Sequence, residues 1–257
     1  MATKKTPTPA PASKTTAVAV KKTNAVASIV TITNALKAQA AETMGKIAPG
    51  GGNKITLKKD GFVLPDGTKT AGPLELVIVD FNTKHSFYET AYDPNNIVPP
   101  GCFAIGPNPK QMTPSKNSPN MQSDSCQGCP MNEFKSAGNG KACTNNRVLA
   151  VLPPDADADT PMWLLSVSPT ALRAFDGYVA AVNRTFGMAP ICVVTTVGLN
   201  PETDYPQLTF TNPVQNENLA VAYERRDEAR DLLNAEPDVS GYVAPSAKPG
   251  KRAPARR

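Results

Sequence analysis

From residue 54 onward the chain alternates apolar and polar positions in short runs separated by turn residues. "KITLKKDGFVLPDG" (54–67) has the two-residue period of a half-buried hairpin, with Asp60-Gly61 and Asp66-Gly67 supplying tight turns. "LELVIVDFNTKHSFYETAY" (74–92) is rich in β-branched and aromatic residues and predicts one long strand, straight or bulged. "CFAIG" (102–106) predicts a short strand. "RVLAVLPP" (147–154) and "MWLLSVS" (162–168) make a hairpin around "DADADT", and "ICVVTTVGL" (191–199) and "QLTFTN" (207–212) predict two more strands.

Three segments carry a helical pattern instead. "TNALKAQAAETMGKI" (33–47) is Ala-rich, with Asn34 as a cap. In 168–186, Ser168 stands at the cap, Pro169 in the first turn, and Leu172, Phe175, Val179 and Val182 along one face. A charged helix over 216–236 offers Leu219, Tyr223, Leu232 and Leu233 for docking. From residue 74 the order is three strands, a helix, then two strands. This predicts an α+β, mainly β fold: an OB-like five-stranded barrel with an inserted loop and flanking helices. The expected organisation is a disordered arm (1–32), one domain (33–239) and a disordered tail (240–257).

The inserted loop raises the question of chemistry. "SDSCQGCPMNEFKSAGNGKACTNN" (123–146) holds three of the chain's five cysteines in a stretch with too few apolar residues to fold unaided. Cys126 and Cys129 form C-x-x-C; Gly128 allows the tight turn between them and Pro130 stiffens its exit. Cys102 and Cys143 would complete a four-thiolate site, with the loop spanning 102–146. A structural zinc is the preferred reading. An iron–sulfur cluster, a disulfide and uncoordinated thiols stand as alternatives. Cys192, inside an apolar strand, reads as a core thiol. His85, the only histidine, shares one strand face with Phe81, Thr83 and Phe87 and reads as a sheet residue or a substitute fourth ligand. One histidine leaves little material for histidine-based acid–base or triad catalysis. Asp155, Asp157 and Asp159 begin like a calcium loop, but Thr160 and Ser166 stand where that loop needs Gly and Glu. No phosphate-cradling loop or nucleophile motif is present, and the chain reads as a non-enzyme.

Charge adds a partner class. Residues 1–24 carry five lysines and no acid; residues 240–257 carry Lys248, Lys251, Arg252, Arg256 and Arg257 and no acid. The formal charge is +5 overall, yet residues 25–239 hold 17 basic and 22 acidic residues. Two cationic arms of low apolar content attract polyanions by counterion release. On the long strand, Tyr88 and Tyr92 beside Lys84 form a candidate base-stacking platform. No run of apolar residues is long enough to span a membrane, and no secretory signal is read at the start. The expected compartment is the cytoplasm.

The strand order with its cysteine-rich insertion, over residues 74–212, resembles the zinc-containing single-stranded-DNA-binding proteins of tailed bacteriophages. "SCQGCPMNEFKSAGNGKACTNNRVLAVLPP" is similar to a segment of phage replication-region proteins. Those phage binders use a histidine among the zinc ligands and end in an acidic tail; here there are four cysteines and a basic end. The resemblance implies sequence-independent binding of single-stranded DNA in the host cytoplasm, beside replication or recombination proteins. The other expectations are a virion structural or assembly protein touching packaged nucleic acid, and a metal-dependent nuclease using Asp155–Asp159.

Overall fold

The structure is a computed structural model that describes residues 31–33, 35, 36, 39, 52–91, 93 and 95–244. The chain divides into two units, Met1–Pro49 and Gly50–Arg257. In the first, the described residues between 31 and 39 are helical. The remainder of the helix expected at 33–47, and residues 1–30 of the arm, lie outside the described residues.

Among the described residues the second unit has nine strands: β1 (Lys54–Lys58), β2 (Gly61–Val63), β3 (Lys69–Thr70), β4 (Leu74–Phe87), β5 (Cys102–Gly106), β6 (Cys143–Leu152), β7 (Trp163–Val167), β8 (Val193–Leu199) and β9 (Leu208–Gln215). Its helices are α1 (Leu172–Phe186), α2 (Leu219–Glu224) and α3 (Arg226–Asn234). The sheet runs β3-β2-β1-β7-β6-β4-β8-β9, with β5 added beside β4, and curls into an open half-barrel. The fold is mixed α+β and mainly sheet. The closed five-stranded barrel is not what these strands make. β1 pairs in parallel with β7 and occupies the edge a closing strand would need, and β9 pairs only with β8. The β1–β2 turn requires its glycine: at Gly61 (φ 153°) a Cβ would stand 2.1 Å from the Thr70 carbonyl oxygen.

β4 is the spine. One edge pairs with β6 along most of its length; the other pairs first with β8 (Leu74–Val77) and then with β5 (Thr83–Phe87). A bulge between Ile78 and Asp80 inserts Val79 as an extra residue. Before it, Leu76 and Ile78 face a core shared with Leu149, Val151, Leu165 and the α1 residues Phe175, Tyr178 and Val182. Val77 and Val79 face a second core, with Leu152, Met162 and the helix residues Ala222, Ala229 and Leu233. After the bulge the odd residues change faces. Phe81, Thr83, His85 and Phe87 pair with Leu149, Arg147, Asn145 and Cys143, on the α1 side.

Several boundaries differ from the sequence reading. The long strand ends at Phe87 rather than residue 92, and β6 begins at Cys143 because its pairing with β4 continues that far. Ser168 makes no side-chain cap; its hydroxyl bonds Thr170 Oγ1 at 3.0 Å, and Pro169–Ala171 form a short 3-10 turn ahead of α1. The terminal helix is two helices, α2 and α3, broken at Arg225, whose guanidinium is drawn to the Asp157 and Thr160 carbonyls and to Glu228. The tail expected from residue 240 is anchored as far as Tyr242, whose hydroxyl donates to Glu89 Oε2 at 2.7 Å.

Candidate metal centre and the groove beside it

The end of β4 beyond the bulge brings two cysteines together from distant parts of the chain. Phe87 pairs with Cys102 on one side and Cys143 on the other. Directly paired residues share a face, so both thiols stand on the face of His85 and Phe87. Their backbones are two strand spacings apart, about 10 Å. The loop between β5 and β6 folds back over this face and adds the other pair. Gly128 adopts φ 76°, the left-handed turn that lets Cys126 and Cys129 point the same way, and Pro130 opens a 3-10 turn over Pro130–Asn132.

Asn132 ties this knuckle to the sheet. Its backbone N–H donates to the Cys129 carbonyl at 2.8 Å and its Nδ2 donates to the Cys126 carbonyl at 2.8 Å. Its Oδ1 accepts from Asn145 Nδ2 of β6 at 2.9 Å and from Lys141 Nζ at 3.2 Å. Cys126 N–H in turn donates to the Met112 carbonyl at 3.1 Å.

Cys102, Cys126, Cys129 and Cys143 are all buried, all free of disulfides, and all line one cavity with His85, Phe87 and Met131. The space among them is about 20 Å³, room for a single water-sized atom. Burial, reinforced by Cys102 and Cys129, pushes the Cys126 thiol up to about 11. Burial and the other three cysteines push Cys143 up to about 12, against a small opposing pull from Lys141. Both are therefore thiols at neutral pH. As placed, no three His, Cys, Asp or Glu side chains among the described residues form a group that could hold a metal ion.

His85 stands in the same wall, 3% exposed, with Nδ1 buried and unpartnered. Burial, with the charges of Lys141 and Arg147, presses its imidazole down to about 4, so it is neutral at physiological pH. Thr83 Oγ1 and Asn145 Oδ1 are likewise buried without partners nearby on this face. Cys192 lies apart, in the α1-side core.

No protein family, curated protein or solved structure matches this chain.

The expected stacking platform is placed differently from the cysteines. Tyr88 is 46% exposed, just past the end of β4, beside a groove with Thr90, Ile97 and Val98. Lys84 is half-buried on β4, and burial, with the Lys54 charge, holds its ammonium below the usual lysine range. Tyr92, Lys248, Lys251, Arg252, Arg256 and Arg257 lie outside the described residues. The acidic turn closes on itself: Asp157 Oδ1 accepts from the Asp159 N–H at 3.0 Å and the Thr160 hydroxyl at 2.6 Å.

Two residues escaped the sequence reading. Asn132 follows the C-x-x-C at the end of a Pro-led turn, where a side chain able to donate and accept can hold a knuckle closed. Phe134 is the one aromatic residue between 107 and 142, and it is 68% exposed. A lone ring in a polar loop is the signal that could have found it.

Proposed function

We propose that this chain binds single-stranded DNA without sequence preference, in replication or recombination, as a non-enzymatic protein whose sheet is completed by one zinc ion. The observation that carries the reading is that four free, buried cysteines, from three separated segments, line one small cavity. That donor set fits zinc: four soft thiolates with no open position make a structural site. Cys102, Cys126, Cys129 and Cys143 would hold the ion, and when bound it supplies the compensating charge and the cross-link that the loop's own apolar content cannot.

The strand pairing supports the binding role. Taking β4, β6, β7, β8 and β9 as strands one to five, their order across the sheet is three-two-one-four-five, the path of an OB sheet left unrolled at its closing pair. The thiol loop is inserted between the first two. The cationic arms add the polyanion attraction that the net-acidic middle of the chain lacks.

The test is one titration with two readouts: a labelled oligo-dT and the matching duplex against the full chain, with metal content measured on the same sample. The expected result is single-strand preference and about one zinc per chain. Equal binding to duplex, or none to either, would defeat the binding role; iron with visible absorbance would replace zinc by a cluster.

A further inference from the structure

Beside the thiol cavity lies a groove of about 570 Å³, lined by Phe134, Gly140, Lys141, Cys143, Thr144 and Asn145 on one side and by Pro169, Thr170 and Leu172 at the start of α1 on the other. Its size falls within the range of about 300–1,000 Å³ usual for small-ligand clefts. We infer that it holds one nucleotide of a bound single strand, with the base stacked on the Phe134 ring and the adjoining phosphate on Lys141. This rests on the single-strand reading above and assigns that reading a place on the molecule.

Three observations point to this occupant. First, Phe134 is the most exposed aromatic side chain among the described residues, yet the loop that presents it is held by its own hydrogen bonds. Lys135 N–H donates to the Gly140 carbonyl at 2.8 Å, and Gly140 N–H donates to the Ala137 carbonyl at 2.9 Å. The Ser136 hydroxyl lies 2.7 Å from the Glu133 carbonyl and accepts from Ala142 N–H at 2.8 Å. A loop held in that way loses little backbone freedom when a base stacks on the ring it presents. Second, the lining holds one cation and no carboxylate, although residues 25–239 as a whole carry more acidic than basic residues. Lys141 gives one N–H to Asn132 and keeps two donors for a phosphate. Third, the opposite wall at Pro169, Thr170 and Leu172 carries no charge, so the groove pairs an apolar slot with a single cationic edge. That is the chemistry of a base with its phosphate. A peptide would need partners for its backbone N–H groups, and a membrane surface would need a broader cationic face.

Cys143 belongs to both linings, so the groove adjoins the thiol cavity.

The test uses the full chain and its variants Phe134→Ala, Phe134→Trp and Lys141→Gln, with oligo-dT affinity, melting temperature and metal content measured on each. Alongside them, an oligonucleotide carrying 5-iododeoxyuridine is photo-cross-linked to the wild-type chain and the linked peptide identified. Phe134→Ala should weaken oligo-dT binding about 5- to 100-fold, Phe134→Trp should restore it, and melting and metal content should hold. Lys141→Gln should lower the log–log salt slope by roughly 0.7, the value for one phosphate contact on a single strand. The cross-link should fall on the peptide containing Phe134. A wild-type chain that binds oligo-dT while Phe134→Ala binds equally well, with the cross-link elsewhere, overturns the groove and leaves the binding role standing. A wild-type chain that does not bind oligo-dT overturns both. Should Phe134→Ala lose metal or melt early, the wild-type cross-link alone decides.

Discussion

The two halves of β4 are held by different physics. From Leu76 to Val79 the strand is buried on both faces, between the α1 core and the α2/α3 core, and its neighbours there are mainly apolar. From Thr83 to Phe87 it carries polar or half-exposed residues, and its cover is a loop of Ser, Asn, Gly and Lys around four thiols. The first half is stabilised by apolar burial, which is non-directional and tolerant of detail. The second depends on named groups such as Asn132 and Gly128, and on whatever compensates four buried sulfurs. The same strand thus joins a region packed by apolar side chains to one covered by a polar loop and four buried thiols.

The largest effect should come from cutting into the first half. Phe175 is fully buried, with its ring centroid 5.1 Å from both Phe81 and Phe210. Phe175→Ala should cost about 3–5 kcal/mol in denaturant unfolding. Metal content per folded chain should stay the same; a parallel loss of metal would mean the halves are one cooperative unit.

Breaking the second half should look different. Cys126→Ser should release the metal and expose residues 107–142 to protease while Trp163 keeps its native fluorescence. Cys192→Ser, in the α1-side core, should leave metal content at the wild-type level. Elemental analysis and limited proteolysis read both. A Cys126→Ser chain that unfolds completely would erase the distinction.

A smaller change sharpens it. Asn132→Ala removes side-chain bonds to the Cys126 carbonyl, Asn145 and Lys141 but no thiol. Metal affinity, measured by competition with a chelator, should fall about 10- to 100-fold, as for other groups that orient metal ligands. An unchanged affinity would show that the knuckle keeps its shape without Asn132.

The smallest structural effect should come from truncation after residue 244, which removes five positive charges and spares the Tyr242–Glu89 hydrogen bond. Melting should not move. If each removed charge meets a phosphate, the single-strand salt slope should fall by roughly 0.7 per contact. A constant slope would assign the tail another task.

The first half was readable locally, and the second only in part. The strands at 102–106 and 162–168, and the α1 face of Phe175 and Val182, follow from side-chain period alone. So does the placing of His85 with Phe81, Thr83 and Phe87. A bulge was allowed for in this strand, but its place at Val79 left no such trace, because apolar residues occupy consecutive positions from Leu76 to Val79 and fit either face. The parallel β1–β7 pair, which leaves the barrel open, joins segments about a hundred residues apart, and no local pattern records such a pairing. The four cysteines could be grouped from spacing and loop composition. That Cys102 and Cys143 would flank one phenylalanine was a matter of register, and register is fixed by the whole sheet. Phe134 and Asn132 were hidden for a simpler reason: a polar loop has no periodicity against which one residue stands out.

The bulge has a meaning for how such a chain can change. It falls after the last pair with β8 and before the first pair with β5, so it is slack placed between two independent ladders. A residue gained or lost there alters the length of the strand without moving Phe87 against Cys102 and Cys143. β4 can therefore serve as a graft point. The segment beyond Phe81, with the loop it supports, can be lengthened or retuned while Phe81 and the core behind it keep their fit.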